Sequence, residues 1–367
     1  MSTKTYFVDH INNTRYPLNG VIRSDTPSTV TVSSALFRDH TLLSAEQLPP
    51  KVDLRPDLTT IENQWQTNSC VANAFAGAYE YLLSKATGTQ IDVSRLFLYY
   101  NARYIGSPYA PITDSGCMLD QAIASLCNYG VCLESLWPFE MQRVNMTPTM
   151  EAYQSAKDHK ILDWLRLSIN LNEMKSCLAQ GYPFTFGAEL FDSFGQAIRS
   201  GVVPMPSAAE LDPSQRWDPS RQMKQHSRHA MLAVGYSDRS QVFLVRNSWG
   251  TQWGDQGYCY MPYAYLSNPT LCFDAWGDQG YCYMPYAYLS NPTLCFDAWV
   301  IRKLATDDFS RDRWSLQDTV DYKLQRSLQH LGASDEHKKW EIIHVEEPDQ
   351  PAEVSHHTEV GTDSNKK

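Results

Sequence analysis

Residues 63–77 read NQWQTNSCVANAFAG, a polar stretch that passes through one cysteine into an alanine-rich run. The polar part offers turn and cap chemistry, with Asn68 and Ser69 just ahead of the thiol, and VANAFAGAYEYLL behind it carries apolar residues at helical spacing. The pattern predicts a helix that opens at Cys70 and stops near Gly88. A thiol in a first helical turn faces unpaired backbone N–H groups and the positive end of the helix dipole, and both favour its anion. Cys70 is therefore a candidate nucleophile, set against the plainer reading of a small buried apolar residue, the commoner fate of a lone cysteine.

A thiolate that attacks a carbonyl needs a base, a group that orients the base, and donors for the developing oxyanion. Of the ten histidines, His229 alone begins an apolar strand-like run, HAMLAVGY. Asn247 closes the next such run in VRNSWG, a distance suited to antiparallel neighbours joined through SDRSQ. Its amide can orient the imidazole, and Trp249 can lie over that hydrogen bond and keep water away. Gln64, six residues before the thiol, can join the Cys70 backbone N–H as an oxyanion donor. Singly, Gln64 and Asn247 read as loop residues and His229 as a structural one; together they fill every role.

Around these residues the period changes once. SRLFLYYNARYIG (94–106), with Ser94 as cap, and CMLDQAIASLCNYG (117–130), stopped by Gly130, continue a helical first half. Asn170 and Glu173 offer a capping box for NLNEMKSCLAQG. Short strand-like runs follow at 184–190, 229–236, 241–247 and 295–304, with a long polar loop at 201–228 ahead of His229. The expected fold class is α+β: a helical lobe at about 60–165 and an antiparallel β lobe at about 166–305, with the ligand cleft between them. Residues 1–48 read as an arm wrapped over this body, and 49–305 as the body itself.

Residues 253–275, WGDQGYCYMPYAYLSNPTLCFDA, recur without one change at 276–298. Structural repeats diverge at their surfaces, so letter-perfect identity points to a duplication and not to a solenoid. One copy suffices for the sheet: the start of the first should follow the Asn247 turn, and the end of the second should supply the last strand. In the tail, Leu316, Val320, Leu324 and Leu328 fall four apart, which predicts an amphipathic helix within 306–332, and its 315–331 part could dock on a partner or on its own body. Residues 333–367 are polar and acidic and read as disordered.

Composition narrows the function classes. Hydrophobic content of 43% and charged content of 20% fit a soluble globular chain, and no apolar run is long enough to span a membrane. A net charge of −10 argues against nucleic-acid binding, and the chain is expected to be a monomer. Nine cysteines, an odd number without a metal-type CxxC pair, and no secretory leader fit reduced thiols and a cytoplasmic setting. No metal and no cofactor is expected.

The stretches LPPKVDLRP, NQWQTNSC, SGCMLDQAIASLCNYGV, HAMLAVGY and VRNSWGTQWGDQGY, in this order over roughly residues 48–304, resemble the papain-like cysteine peptidases. The resemblance implies the two-lobe fold with its cleft and a thiol peptidase activity on peptide or protein substrates. It casts Cys70 as nucleophile, His229 as base and later acid, Asn247 as orienter and Gln64 as oxyanion donor, with a thiolate–imidazolium pair and, as in papain, a thiol pKa of roughly 3–4. On the substrate side it implies Gly116, where a missing side chain admits substrate backbone, an apolar subsite of Met118, Leu119 and Ala230, and Trp249 beside the pair.

Departures matter as well. Thr67 and Val71 stand where the family usually has Cys and Trp, so one common disulfide cannot form, and the stretch is most similar to a microbial branch with SCxANA. The arm lacks the long helical inhibitory propeptide, although it could still cover the cleft. His229 follows the thiol by more than the family's usual ~130–150 residues, an excess the 201–228 loop can absorb. Two rivals use the same residues: a pseudoprotease that binds without cleaving, and an acyl-transfer enzyme of transglutaminase or ligase type. Cys70→Ala on a peptide substrate separates the first, and product mass spectrometry the second.

Overall fold

The alanine-rich run forms the central helix of the protein. Helix α1 spans Cys70–Thr87 and ends at Gly88, whose φ of 70° is left-handed. Every residue from Cys70 to Leu83 is buried, so the helix has no solvent face before its last turn. Its small residues let neighbours close in: a Cβ added at Gly77 would stand 3.4 Å from the Arg246 guanidinium and 3.5 Å from Leu232. These details come from a computed structural model that describes residues 2–22, 35–40, 43–212, 217–218, 223–224, 227–267, 295–304 and 340–347.

Two strands, β1 (Ser2–Asp9) and β2 (Thr14–Leu18), open the chain, followed by the short β3 (Ala35–Leu36) and β4 (Lys51–Asp53). Helix α2 (Arg95–Gly106) starts where the sequence indicates, with the Ser94 hydroxyl accepting from the Phe97 N–H, and α3 covers Leu119–Asn128. Helix α4 (Met150–Ala156) is capped by Thr149. Strand β5 (Ile161–Leu167) crosses the expected lobe boundary near 165, so the β lobe begins earlier than the sequence suggests.

Helix α5 (Leu171–Ala179) has Asn170 as its cap, but Glu173 accepts from the Ser168 N–H and so does not complete a capping box. After β6 (Phe184–Leu190) come the short α6 (Ala197–Ser200), α7 (Ala208–Leu211), β7 (Trp217–Asp218) and β8 (Met223–Lys224). The long β9 (Ser227–Ser237) and β10 (Val242–Arg246) then form the expected antiparallel pair.

Strand β11 (Tyr258–Pro262) and helix α8 (Tyr263–Leu266) use the start of the first duplicated copy, and β12 (Cys295–Leu304) begins in the end of the second. The main sheet runs β11-β10-β9-β6-β12-β5-β3, with β4 also paired to β9. Both copies thus contribute to one sheet, as the sequence indicates.

The tail departs from expectation. Trp340–Glu347, within the stretch read as disordered, forms β13, which pairs antiparallel with all eight residues of β1 in a sheet ordered β13-β1-β2. The amphipathic helix expected within 306–332 lies outside the described residues. No helix among the described residues is long and apolar enough to cross a membrane.

Candidate active site

Cys70 is the first residue of α1. Ser69 stands at the N-cap, yet its hydroxyl does not cap the helix: it meets Thr67 Oγ1 at 2.7 Å and accepts from Asn73 Nδ2 at 3.0 Å. Asn68 is held by Asp114, through its backbone N–H to Oδ1 (2.9 Å) and its Nδ2 to the Asp114 carbonyl (2.7 Å). Gln64 is fixed at both ends of its amide. Nε2 donates to the Thr67 carbonyl at 2.8 Å, and Oε1 accepts from the Ser248 hydroxyl at 2.6 Å. These partners settle which end of the amide is nitrogen and leave its second N–H to point elsewhere.

The other half of the site rides on β9 and the end of β10. His229 Nε2 and Asn247 Oδ1 are 2.8 Å apart, and the same oxygen accepts from the Ser248 N–H. His229 Nδ1 is buried without a hydrogen-bond partner. Trp249 lies over the histidine, ring centroids 4.5 Å apart, and is itself 3% exposed. The Gln64 N–H donates to the Ser248 carbonyl, and the Gly250 N–H to the Glu62 carbonyl, so the glutamine loop and the strand pair are laced together. The backbone N–H groups of Ala230, Val71 and Cys70 itself favour the Cys70 thiolate. Gln64, Asn247 and His229 are thus linked through Ser248, and all four residues expected to do the chemistry are fully or nearly fully buried.

What buries the sulfur is the arm. Beyond β2 the Asn19 N–H donates to the Arg228 carbonyl (2.6 Å), and Asn19 Oδ1 accepts from the Arg228 N–H (2.9 Å). Gly20 then passes over Cys70: a Cβ built on it would stand 2.7 Å from Sγ and 2.5 Å from the Asn68 carbonyl. On the opposite wall the Gly20 carbonyl accepts from the Cys117 N–H, and the Ile22 N–H donates to the Cys117 carbonyl, each at 3.0 Å. Tyr16 closes the end by stacking on Trp249 at 5.0 Å.

The model for papain family cysteine proteases matches residues 48–268, the stretch that holds Gln64, Cys70, His229 and Asn247. The chain belongs to this family. An uncharacterised peptidase C1-like protein of Acanthamoeba polyphaga mimivirus is 31% identical over 235 residues, 61% of this chain and 71% of that one. The oryzain gamma chain of Oryza sativa subsp. japonica is 25% identical over 62% of this chain and spans 59% of its own length in the match. Among solved structures, xylellain, a cysteine protease from Xylella fastidiosa, aligns with a TM-score of 0.59 at 29% identity, covering 78% of this chain and 96% of that one.

Ionisation in this papain-family site differs from the expected ion pair. Burial pushes the Cys70 thiol up to about 12, against the pull of the three N–H groups, and burial takes His229 down to about 4 despite its bond to Asn247. Both shifts have burial as their largest cause, and both favour the neutral forms while the two side chains are covered.

The substrate-side residues fare unevenly. Gly116, φ 81°, is needed for close approach, since a Cβ there would meet the Gly20 carbonyl at 2.5 Å; the backbone pairing itself is made by its neighbour Cys117. Met118 is half-buried, Ala230 is buried, and Leu119 is fully buried in the core. Gly20, Asp114 and Ser248 carry no signal in the sequence reading, although Gly20 is the one glycine among the first 48 residues, and Thr67 stands out there only as a replacement for a cysteine. The six described cysteines are free thiols.

Proposed function

We propose that this chain hydrolyses peptide bonds in extended polypeptides through Cys70 and His229, and that its own arm holds it latent. The observation that carries this reading is the arm itself, an extended segment bonded through its backbone to Cys117 on one wall and Arg228 on the other, with Gly20 against the sulfur. A cleft that seats one polypeptide segment in this way is shaped for another.

Once the arm leaves, water reaches the pair and a proton passes from Cys70 to His229. The thiolate attacks the substrate carbonyl carbon, and the oxyanion is held by the free Nε2–H of Gln64 and the Cys70 N–H. Asn247 keeps the imidazolium aimed while it protonates the leaving amine, which departs as the C–N bond breaks. Water, deprotonated by His229, then hydrolyses the thioester and regenerates the thiol. Gly116 admits the substrate backbone, and Met118, Leu119 and Ala230 favour an apolar side chain at the second residue before the cut. Free thiols suit a reducing compartment, in keeping with a cytoplasmic site of action.

The test uses the full chain with Gly20→Val to displace the arm, a fluorogenic peptide with leucine at that second position, and Cys70→Ala in the same background. Cleavage that vanishes with Cys70 supports the reading. No cleavage by a folded, arm-displaced chain overturns it, and amine-ligated products by mass spectrometry would replace hydrolysis with acyl transfer.

A further inference from the structure

The loop that carries Gln64 is under strain and lacks a covalent tie. Trp65 sits in the left-handed region at φ 48° and is 61% exposed, a conformation that costs a non-glycine residue of order 1 kcal/mol or more. Thr67 stands in this loop, and none of the described cysteines is bridged. The loop's bonds to Ser248 and Gly250 hold it from the strand side, and a second set of contacts has to hold it from the helix side.

A run of buried donors does so. Arg95 on α2 donates from Nη1 to Asn73 Oδ1 at 3.3 Å. Asn73 Nδ2 donates to both the carbonyl and the hydroxyl of Ser69, each at 3.0 Å. Thr67 Oγ1 donates to the Gln64 carbonyl at 2.8 Å, so the 2.7 Å contact between the two hydroxyls has Ser69 as donor. Every hydrogen in the series therefore points the same way, from the guanidinium to the glutamine backbone, and donors aligned in this way strengthen one another.

The source of the series is itself pinned. Arg95 is 6% exposed, pairs with Glu62 at 2.8 Å and Glu134 at 3.3 Å, and lies over the Phe139 ring at 4.3 Å. Its planar fork serves four acceptors, the Asn63 carbonyl at 3.4 Å included, one more than the three N–H groups of a lysine could reach.

We infer that Arg95 and Asn73, acting through Ser69 and Thr67, are positioning residues that hold the Gln64 amide and the start of α1 in oxyanion-binding register, in place of a disulfide. The inference rests on the peptidase reading above. It predicts a division that ordinary destabilisation would not produce. Peptide cleavage passes through an oxyanion, whereas alkylation of Cys70 by iodoacetamide does not. Loosening the brace should slow the first and spare the second.

The experiment uses the full chain carrying Gly20→Val, and within it Thr67→Val, Thr67→Ser and Asn73→Ala. Thr67→Val keeps the volume and removes the hydroxyl; Asn73→Ala cuts the run one step earlier. Both should lower kcat roughly 10–100-fold, less than the roughly 100–1,000-fold for removing an oxyanion donor outright. KM and the iodoacetamide rate should stay within about threefold. A peptide aldehyde, which binds as a tetrahedral adduct, should weaken in step with kcat/KM, and Thr67→Ser should restore most of the rate.

Unchanged kcat in Thr67→Val, or alkylation that falls in parallel with cleavage, overturns the inference while leaving the peptidase reading intact. A Gly20→Val parent that alkylates but cleaves no peptide overturns both. Because Thr67→Val alters one hydroxyl at constant shape, it decides the matter even if Asn73→Ala fails to fold.

Discussion

Gly20 and Cys70 are pressed together so closely that no side chain fits between them: a Cβ on Gly20 would lie 2.7 Å from the sulfur and 2.5 Å from the backbone carbonyl of Asn68. The second contact is decisive, because a backbone carbonyl at a helix start cannot swing aside as a flexible side chain can. A larger residue at this position must lift the arm. Gly20→Val is therefore expected to raise the rate of Cys70 alkylation by iodoacetamide at pH 7 at least tenfold, an opening shift of about 1.4 kcal/mol or more. Mass spectrometry of the Cys70 peptide reads it directly, and an unchanged rate would mean that the arm does not guard the thiol.

Burial of His229 also makes stability depend on pH. Its folded value, about 4, lies below the ordinary histidine value of 6.5, so the contribution is fully present above 6.5 and is lost as pH falls toward 4. Denaturant unfolding should lose on the order of 2 kcal/mol between pH 7 and pH 5 from this group alone. His229→Gln removes the titration, and its loss over the same interval should be smaller by that amount. The Cys70 thiol, raised to about 12, acts at the other end, its contribution present below about 9 and lost as pH rises toward 12.

The sequence was legible where pattern and chemistry are local. Apolar spacing after Cys70, the Ser94 cap and the Gly88 stop give α1 and α2 to within a residue or two, and the HAMLAVGY and QVFLVRN runs become β9 and β10. Strand β5 was missed because ILDWLRL does not alternate cleanly: Leu162 is exposed while Ile161, Leu165 and Leu167 are buried. Strand β13 was missed because acidic, polar surroundings mask EIIHVEE, and the strand it pairs with lies at the other end of the chain. Gly20 was read as part of a wrapping arm, since nothing near it in sequence reveals that Cys70 lies beneath. The brace from Arg95 to Gln64 joins two helices and a loop through side-chain geometry, which spacing alone does not encode.

Asn247 holds His229 through a single 2.8 Å bond that is buried beneath Trp249. In the arm-displaced chain, Asn247→Ala should lower kcat by roughly 10–100-fold, the equivalent of about 1–3 kcal/mol for a buried polar group left without its partner. KM should change little, because Asn247 acts through the imidazole and the change does not alter the cleft walls. Steady-state kinetics separate the two; a loss confined to KM would place Asn247 in substrate binding instead.

The eight-residue pairing of β1 with β13 ties the arm to the far end of the chain. Removing residues 340–367 exposes the edge of β1 and takes away a ladder whose hydrogen bonds each contribute about 0.5–1.5 kcal/mol net. Amide hydrogens of Ser2–Asp9 should then exchange at least tenfold faster, and Cys70 should alkylate faster in the same sample. If β1 loosens while Cys70 stays protected, the arm is held by Asn19, Gly20 and Tyr16 alone, and the tail has no part in guarding the thiol.

The duplicated segment offers the sharpest check on how the sheet is assembled. Strand β11 and helix α8 come from the first copy and β12 starts within the second, so the two copies each supply one half of what a single copy encodes. Deleting residues 276–298 leaves CFDA of the first copy, residues 272–275, running directly into Trp299, which reproduces the sequence that enters β12 in the intact chain. The pairing of this strand with β5 and β6 should therefore survive, including Trp299 opposite Arg166 and Thr185. In the Gly20→Val background the shortened chain should cleave peptide within about twofold of the full-length one, a difference under 0.5 kcal/mol. A large gain would show that the second copy impedes the sheet behind Asn247, and loss of the folded state would show that residues 276–294 are needed to bring β12 into place.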